Sequence, residues 1–284
     1  MRFIGIEKHK IIRIVPYATA LLLLLFCMVW IYPFLWMVSA SMKSSVELFQ
    51  KGLNLIPDKI SLESYLSAWG KGGFSKYFFN SFITTLGAII VVLIRCSTCG
   101  YILSMYDFKG KKIYLLVLLA TFFIPNGTTI IPVSQFSAEL GLLGTRRGMI
   151  LALAGGGQVT SIFLFKNFFD QVPKSLFEAA LIDGASFPKI FFSIMLPMTG
   201  PIISTVTILT FMNSWNNLLI PLVFTVSTPK IKTLPVGMMA FSGAYATDWA
   251  GMAAAGTVTL IPIVVTYICL QKYFVSGVAG AVKG

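Results

Sequence analysis

The segment 173–197 reads Pro173-Lys-Ser-Leu-Phe-Glu178-Ala179-Ala180-Leu-Ile-Asp183-Gly184-Ala-Ser186-Phe-Pro188-Lys-Ile-Phe-Phe-Ser-Ile194-Met-Leu196-Pro197. Pro173 preorganises a first helical turn, and Leu176, Ala180 and Asp183 fall on related faces of the helix that follows. Gly184 can take the left-handed conformation that closes a helix. Ser186 then offers an N-cap for a second short helix, whose first turn tolerates Pro188. The spacing thus predicts a compact helix-Gly-helix element. Beyond it, Pro197, Gly200 and Pro201 disfavour one continuous helix, so a short surface helix is expected to precede the next long one.

This element lies in a very apolar chain. Of 284 residues 56% are hydrophobic and 11% charged, against about 25% charged in an ordinary soluble domain, which excludes a typical soluble enzyme. Uncharged runs cover 14–42, 77–94, 113–138, 148–165, 190–229 and 249–271. A helix needs roughly 20 apolar residues to cross the hydrocarbon core. The runs therefore predict an all-α polytopic membrane protein with six transmembrane helices, at about 15–39, 79–104, 112–132, 148–167, 201–225 and 251–273. Three divisions follow: 1–74 with the first helix and an external loop, 75–273 with five helices and a loop at 168–197, and a tail at 274–284.

The net charge of +12 reads as topology charge rather than nucleic-acid affinity, because no basic tract reaches five residues. The first apolar run exceeds the roughly 7 to 15 residues of a signal-peptide core, so it is expected to stay as an uncleaved span. An even number of spans puts both termini on one side, and Arg2, Lys8, Lys10 and Arg13 make that side the cytoplasm. On that orientation 12 Lys/Arg lie inside, including Lys109, Lys111 and Lys112, and nine lie outside, including Lys43. Residues 43–76 are expected as an external loop or surface helices, and 233–247 as a re-entrant or surface segment. Neither an internal repeat nor a low-complexity tract is present.

No phosphate-binding G-x-x-x-x-G-K-[ST] occurs, and His9 is the single histidine, so neither a nucleotide loop nor a catalytic triad or metalloprotease pair is on offer. Cys96 and Cys99 form a C-x-x-C without a second pair and read as small residues facing a neighbouring helix. Gly155, Gly156 and Gly157 read as small residues permitting close helix approach. No catalytic residue, metal site or cofactor is implied.

Glu178-Ala179-Ala180, then Gly184 after three residues, then Ile194-Met195-Leu196-Pro197 after nine more, resembles the hallmark loop of the transmembrane subunits of binding-protein-dependent ABC importers. Seven fixed positions over twenty residues in a six-span chain make a specific match. The resemblance covers roughly 75–284, and the basic turn after the second span and the C-terminal Gln-Lys-Tyr-Phe-Val stretch are similar to carbohydrate-type, MalG-like permeases. It implies the type-1 (MetI-like) permease fold. It also implies a coupling helix docking on an ATPase, with Glu178 pairing with a basic residue there, Ala179 and Ala180 permitting close approach, Asp183 beside them and Gly184 supplying the bend. Ile194, Leu196 and Pro197 would frame the loop. The implied partners are a homologous permease subunit, two cytoplasmic ATP-binding subunits, an extracytoplasmic solute-binding protein and membrane lipid, in a bacterial plasma membrane.

Other polar residues point less sharply. Asn213, Trp215, Asn216 and Asn217 fall in the fifth span, where amides must face other helices or a wet cavity. They are candidates for lining the translocation path, with interhelical hydrogen bonding the competing reading. Arg95 is expected to snorkel to the headgroups. An ion-driven secondary transporter or channel is the rival function, and the scarcity of carboxylates within the spans counts against it. A membrane-embedded enzyme would need an acid-base or metal cluster, which the sequence does not offer.

Overall fold

The structure is a computed structural model that describes residues 3–282 except 72, 126, 157 and 244–246, with side chains also excluded at 3–15, 18, 51, 71 and 273–282. Arg2, Gly157 and Lys283, and the side chains of Lys8, Lys10 and Arg13, lie outside the described residues. In chain order the helices are α1 (Phe3–Ala40), α2 (Ser45–Lys51), α3 (Glu63–Leu66), α4 (Phe74–Met105), α5 (Lys111–Ala120), α6 (Ile130–Glu139), α7 (Arg146–Gly155) and α8 (Val159–Asp170). They continue with α9 (Lys174–Ile182), α10 (Phe187–Ile190), α11 (Leu196–Met198), α12 (Gly200–Trp215), α13 (Leu219–Thr225), α14 (Leu234–Met238) and α15 (Trp249–Val282). Among the described residues the only β feature is one isolated bridge, Ser242 with Thr247.

The chain divides into two compact units, 1–72 with 241–258, and 73–240 with 259–284. In the first, the end of α1 carries a stripe of donors spaced as one helix face. Tyr32 donates to the carbonyl of Leu53 at 2.5 Å and Trp36 to that of Gly52 at 3.2 Å, while Ser39 and Lys43 take those of Leu55 and Asn54. The irregular segment after α2 thereby loses none of these carbonyls to an apolar surrounding. Lys43, just past the end of α1, is buried as the last donor of this stripe.

The second unit is organised around α4, which packs against α7, α8, α12 and α14. Small residues set the closest approach: a methyl group placed on Gly100 would lie 2.6 Å from the Phe165 Cβ and 2.8 Å from the Lys166 nitrogen. In a bundle whose surroundings are as apolar as its interior, such close backbone contact is what holds helices together. The core along α4 and α8 contains Ala88, Val92, Cys96, Tyr101, Phe165 and Phe169. At the opposite end of α4, Asn80 donates to the carbonyls of Lys230 and Lys232, each at 2.9 Å, and accepts from Arg146 at 2.7 Å. The Leu234 amide donates to Ser81 at 2.8 Å. These bonds fasten the start of the expected re-entrant segment, and α14 buries Leu234, Val236 and Gly237.

Among the described residues three helices are long and apolar enough to cross a membrane, rising to five when each bent pair counts as one span. The six expected continuous spans are therefore too regular a picture. The span placed at 112–132 stops as α5, a short 3-10 turn follows over Thr121–Phe123, and Ile124 is extended before Pro125, as residues preceding proline prefer. The span at 148–167 is two helices, α7 and α8, inclined at 62°. The span at 201–225 is interrupted between α12 and α13. The expected break near Pro197 and Gly200 is present, with an 80° bend before α12.

Gly155 and Gly156 do not serve close packing, since a Cβ on either would meet nothing within 4 Å. Gly155 ends α7 and Gly156 is extended, so these glycines mark where the helix stops rather than press it on a neighbour.

Candidate functional site

The element at 173–197 folds as its residues dictate. Pro173, with φ −55° and ψ 125°, immediately precedes α9. The helix closes on Gly184 at φ +73°, with the Gly184 amide donating to Leu181 and the Ala185 amide to Ala180, both at 3.0 Å. That pair of bonds is a Schellman ending, which satisfies carbonyls the helix would otherwise leave free. Ser186 is extended at the head of α10, with Pro188 in the first turn. Its side chain makes no capping bond, because Pro188 removes one of the two amides within reach. A π-turn over Phe191–Met195 follows. It ends just before Pro197, whose ring cannot share a helix with the carbonyl four residues back.

The two faces of α9 differ sharply. Ala180 is buried in the core and Phe177 packs beside it, whereas Glu178, Ala179 and Asp183 are exposed. Leu181 is 49% and Ile182 86% exposed, so apolar side chains stand beside the two carboxylates. Ala180 therefore cannot offer close approach to another molecule. Its place three residues after Phe177 puts it on the inward stripe, and only Ala179 of the alanine pair is outside. Ile194 and Leu196 are partly buried against the core, and Pro197 is exposed.

Polar bonds tie the ends of α4 and α8 beside this element. Ser104 donates to Asp170 at 2.7 Å and Lys166 donates to the same carboxylate at 2.6 Å. Lys111 bonds the Tyr106 carbonyl and the Asp107 carboxylate, both at 2.9 Å. The Lys111 hydrogen bond and charge, with a smaller contribution from Lys174 on α9, hold the Asp107 carboxyl below the usual carboxylate range.

The candidate path residues sit on a different element and do not act as a set. Trp215 is buried, donates to the Thr259 carbonyl at 3.2 Å, stacks on Phe211 at 5.4 Å and meets Phe78 edge-on at 5.7 Å. It is a packing residue, not one open to a passing solute. Asn217 accepts from the Ile220 amide at 3.0 Å and so caps the start of α13. Asn213 and Asn216 are exposed. Arg95 donates to the Ala154 carbonyl at 2.6 Å, in the last turn of α7. Cys96 is buried with its thiol 4.0 Å from the Gln158 carbonyl, and Cys99 lies 3.3 Å from the Tyr114 hydroxyl.

Sequence spacing alone did not bring out a ring cluster behind α9. Tyr101, Tyr106, Phe169, Phe177, Phe187 and Phe191 converge from 91 positions of chain. Only the apolar face of α9 hints at it.

Comparison with known proteins meets this geometry. The diacetylchitobiose uptake system permease protein NgcG of Streptomyces coelicolor is 33% identical over 259 residues, spanning 91% of this chain and 85% of that protein. The arabinooligosaccharides transport system permease protein AraQ of Halalkalibacterium halodurans is 34% identical over 258 residues, spanning 89% and 91%. A chain in the crystal structure of a bacterial ABC transporter involved in the import of the acidic polysaccharide alginate superposes with a TM-score of 0.79. It is 25% identical, with 92% of this chain and 97% of that one covered. Residues 96–280, which hold the whole helix-Gly-helix element, match the family described as binding-protein-dependent transport system inner membrane component. The protein belongs to that family: it is a permease subunit of an ABC importer and not an enzyme.

Proposed function

We propose that this chain forms half of the translocation pathway for a sugar or oligosaccharide, paired with a homologous permease subunit in a bacterial plasma membrane. Both termini and the loop at 168–197 face the cytoplasm. There α9 docks on one of two ATP-binding subunits, and an extracytoplasmic solute-binding protein delivers the cargo. Closure of the ATPases on nucleotide pushes the docked helix and switches the pathway between its inward and outward openings. The cargo class rests on the names of the relatives, which concern diacetylchitobiose and arabinooligosaccharides.

The observation that carries the docking assignment is the outer face of α9. Ile182 and Leu181 are exposed beside Glu178 and Asp183, on a helix whose other face is fixed in the core. Apolar side chains flanked by carboxylates match a partner groove with an apolar floor and a basic rim, and burying them contributes about 25 cal/mol per Å². Asn213 and Asn216, the exposed pair of the four polar candidates, remain the positions proposed to face the path; Trp215 and Asn217 support them by packing and capping.

The importer purified through a tag on this chain tests the reading. ATP-binding subunits are expected to co-purify, to be lost on Ile182→Asp, and to support ATP-dependent oligosaccharide uptake in proteoliposomes. Uptake that persists without ATP while ion gradients are maintained would overturn it.

A further inference from the structure

Few of the side chains of α9 and α10 point inward, yet a helix meant to transmit force needs a rigid seat. Ala180 and Ile190 fill part of that seat, and rings make up much of the rest. Tyr101, in the last turns of α4, is fully buried and meets five of them. Its ring centroid lies 5.2 Å from that of Phe191, 5.3 Å from Phe187, 5.6 Å from Phe169, 5.8 Å from Tyr106 and 6.4 Å from Phe177. The cluster is cross-linked around its rim as well, since Tyr106 lies 5.5 Å from Phe177 and 5.7 Å from Phe187.

Each ring stands on a different part of the machine. Phe177 immediately precedes Glu178 on α9, Phe187 opens α10, Phe191 starts the π-turn, Phe169 lies in the last turn of α8 and Tyr106 follows α4. An aromatic side chain has only two torsions, and close-packed interiors shift between discrete arrangements rather than deforming smoothly. A displacement of α9 therefore cannot be absorbed within the cluster and must move Tyr101. The helix that bears Tyr101 is 32 residues long and contacts α7, α8, α12 and α14. A push at its end is delivered throughout the second unit. The polar bonds of Ser104 to Asp170 and of Lys111 to the Tyr106 carbonyl keep the surrounding chain ends in place.

We propose that this ring cluster is the joint through which displacement of α9 and α10 reaches α4, with Tyr101 its central positioning residue in the transport cycle. The inference rests on the docking of α9 proposed above and adds the route by which the docked motion enters the bundle. A cluster that served only to fold the chain would affect assembly and every activity together. A joint affects the ratio of solute moved to ATP hydrolysed.

The test uses the importer purified through a tag on this chain and reconstituted in proteoliposomes. Tyr101→Leu removes the central ring while keeping an apolar side chain. The ATP-binding subunits are expected to co-purify as in the unaltered importer and to hydrolyse ATP, while solute moved per ATP falls roughly tenfold, within the usual span of coupling free energies. Tyr101→Phe, which keeps the ring, restores the ratio. Should Tyr101→Leu fail to assemble, Phe187→Leu at the edge of the cluster is measured with the same expectation. An unchanged ratio in the variant that assembles, or a Tyr101→Phe importer as uncoupled as Tyr101→Leu, would overturn the joint while leaving docking intact. Failure of any ATP-binding subunit to co-purify with the unaltered chain would instead overturn the docking reading on which the joint depends.

Discussion

The guanidinium of Arg95, on α4, donates to the backbone carbonyl of Ala154, in the last turn of α7, at 2.6 Å. The carbonyl belongs to a helix that stops at Gly155, short of a full crossing, and so has no amide four residues further on to accept from. In an apolar surrounding such a group needs a partner, and a charged donor is the strongest available. A lone arginine in a span and a broken span are thus one feature: each satisfies what the other leaves unpaired.

Replacing that donor is expected to be costly. Arg95→Leu should lower the stability of the detergent-purified importer by about 1.5–3 kcal/mol, the range for a hydrogen bond to a charged group. Arg95→Gln, which keeps a shorter donor, should lose less. Thermal unfolding of the two variants checks the order, and equal stability of Arg95→Leu and the unaltered protein would sink the assignment.

Gly100 sets the distance between α4 and α8. Because Lys166 contributes backbone rather than a movable side chain at 2.8 Å from the missing methyl, the helices must separate to admit one. Gly100→Ala is expected to cost about 1–3 kcal/mol through overpacking, read as a lower melting temperature. Gly155→Ala, where a Cβ meets nothing within 4 Å, should leave that temperature nearly unchanged.

At Gly184 the constraint is conformational. Its φ of +73° is strained for a side chain although the space around it is open. Asparagine and aspartate tolerate that region better than branched residues, so Gly184→Asp should insert and fold while weakening co-purification of the ATP-binding subunits. Gly184→Val should lose about 1–2 kcal/mol of stability besides. Normal uptake by Gly184→Asp would contradict its place in the docking element.

Tyr101 carries a buried hydroxyl whose polar neighbour is the Tyr106 hydroxyl, without a hydrogen bond of ordinary geometry between them. Leaving such a group unpaired costs about 1–3 kcal/mol. Tyr101→Phe should therefore melt at the same temperature as the unaltered protein or higher, and a clear drop would show that the hydroxyl is bonded in the assembled importer.

Much of the helix-Gly-helix element was legible in its residue spacing. Pro173, Gly184 and Pro188 act on the backbone through their own covalent structure, so their effects do not depend on distant neighbours. Pro197 and Gly200 announced the bend before α12 for the same reason. What spacing could not supply was contact at a distance. Phe177 and Ala180 share a helix stripe, but nothing local says that the stripe meets Tyr101, 76 positions upstream of Phe177. Uniformly apolar stretches hid the breaks after α5 and α7, because hydropathy records where a chain can reside and not whether its helix is continuous. The partners of Lys43 and Arg95 were missed because each charge was weighed without the backbone carbonyl that receives it. Trp215 and the asparagines near it shared one polar signature yet divided into a core ring, a cap and two exposed amides.

Disulfide trapping between α9 and the ATP-binding subunit is the most direct test of the account. Glu178→Cys is introduced with the four native cysteines replaced by serine, and single cysteines are placed around the basic rim of the ATPase groove. Oxidation of native membranes is predicted to yield a cross-linked pair of the two subunits, with Glu178→Cys shielded from membrane-impermeant thiol reagents added outside the cell. Labelling from outside, or no adduct with any ATPase position, would contradict it.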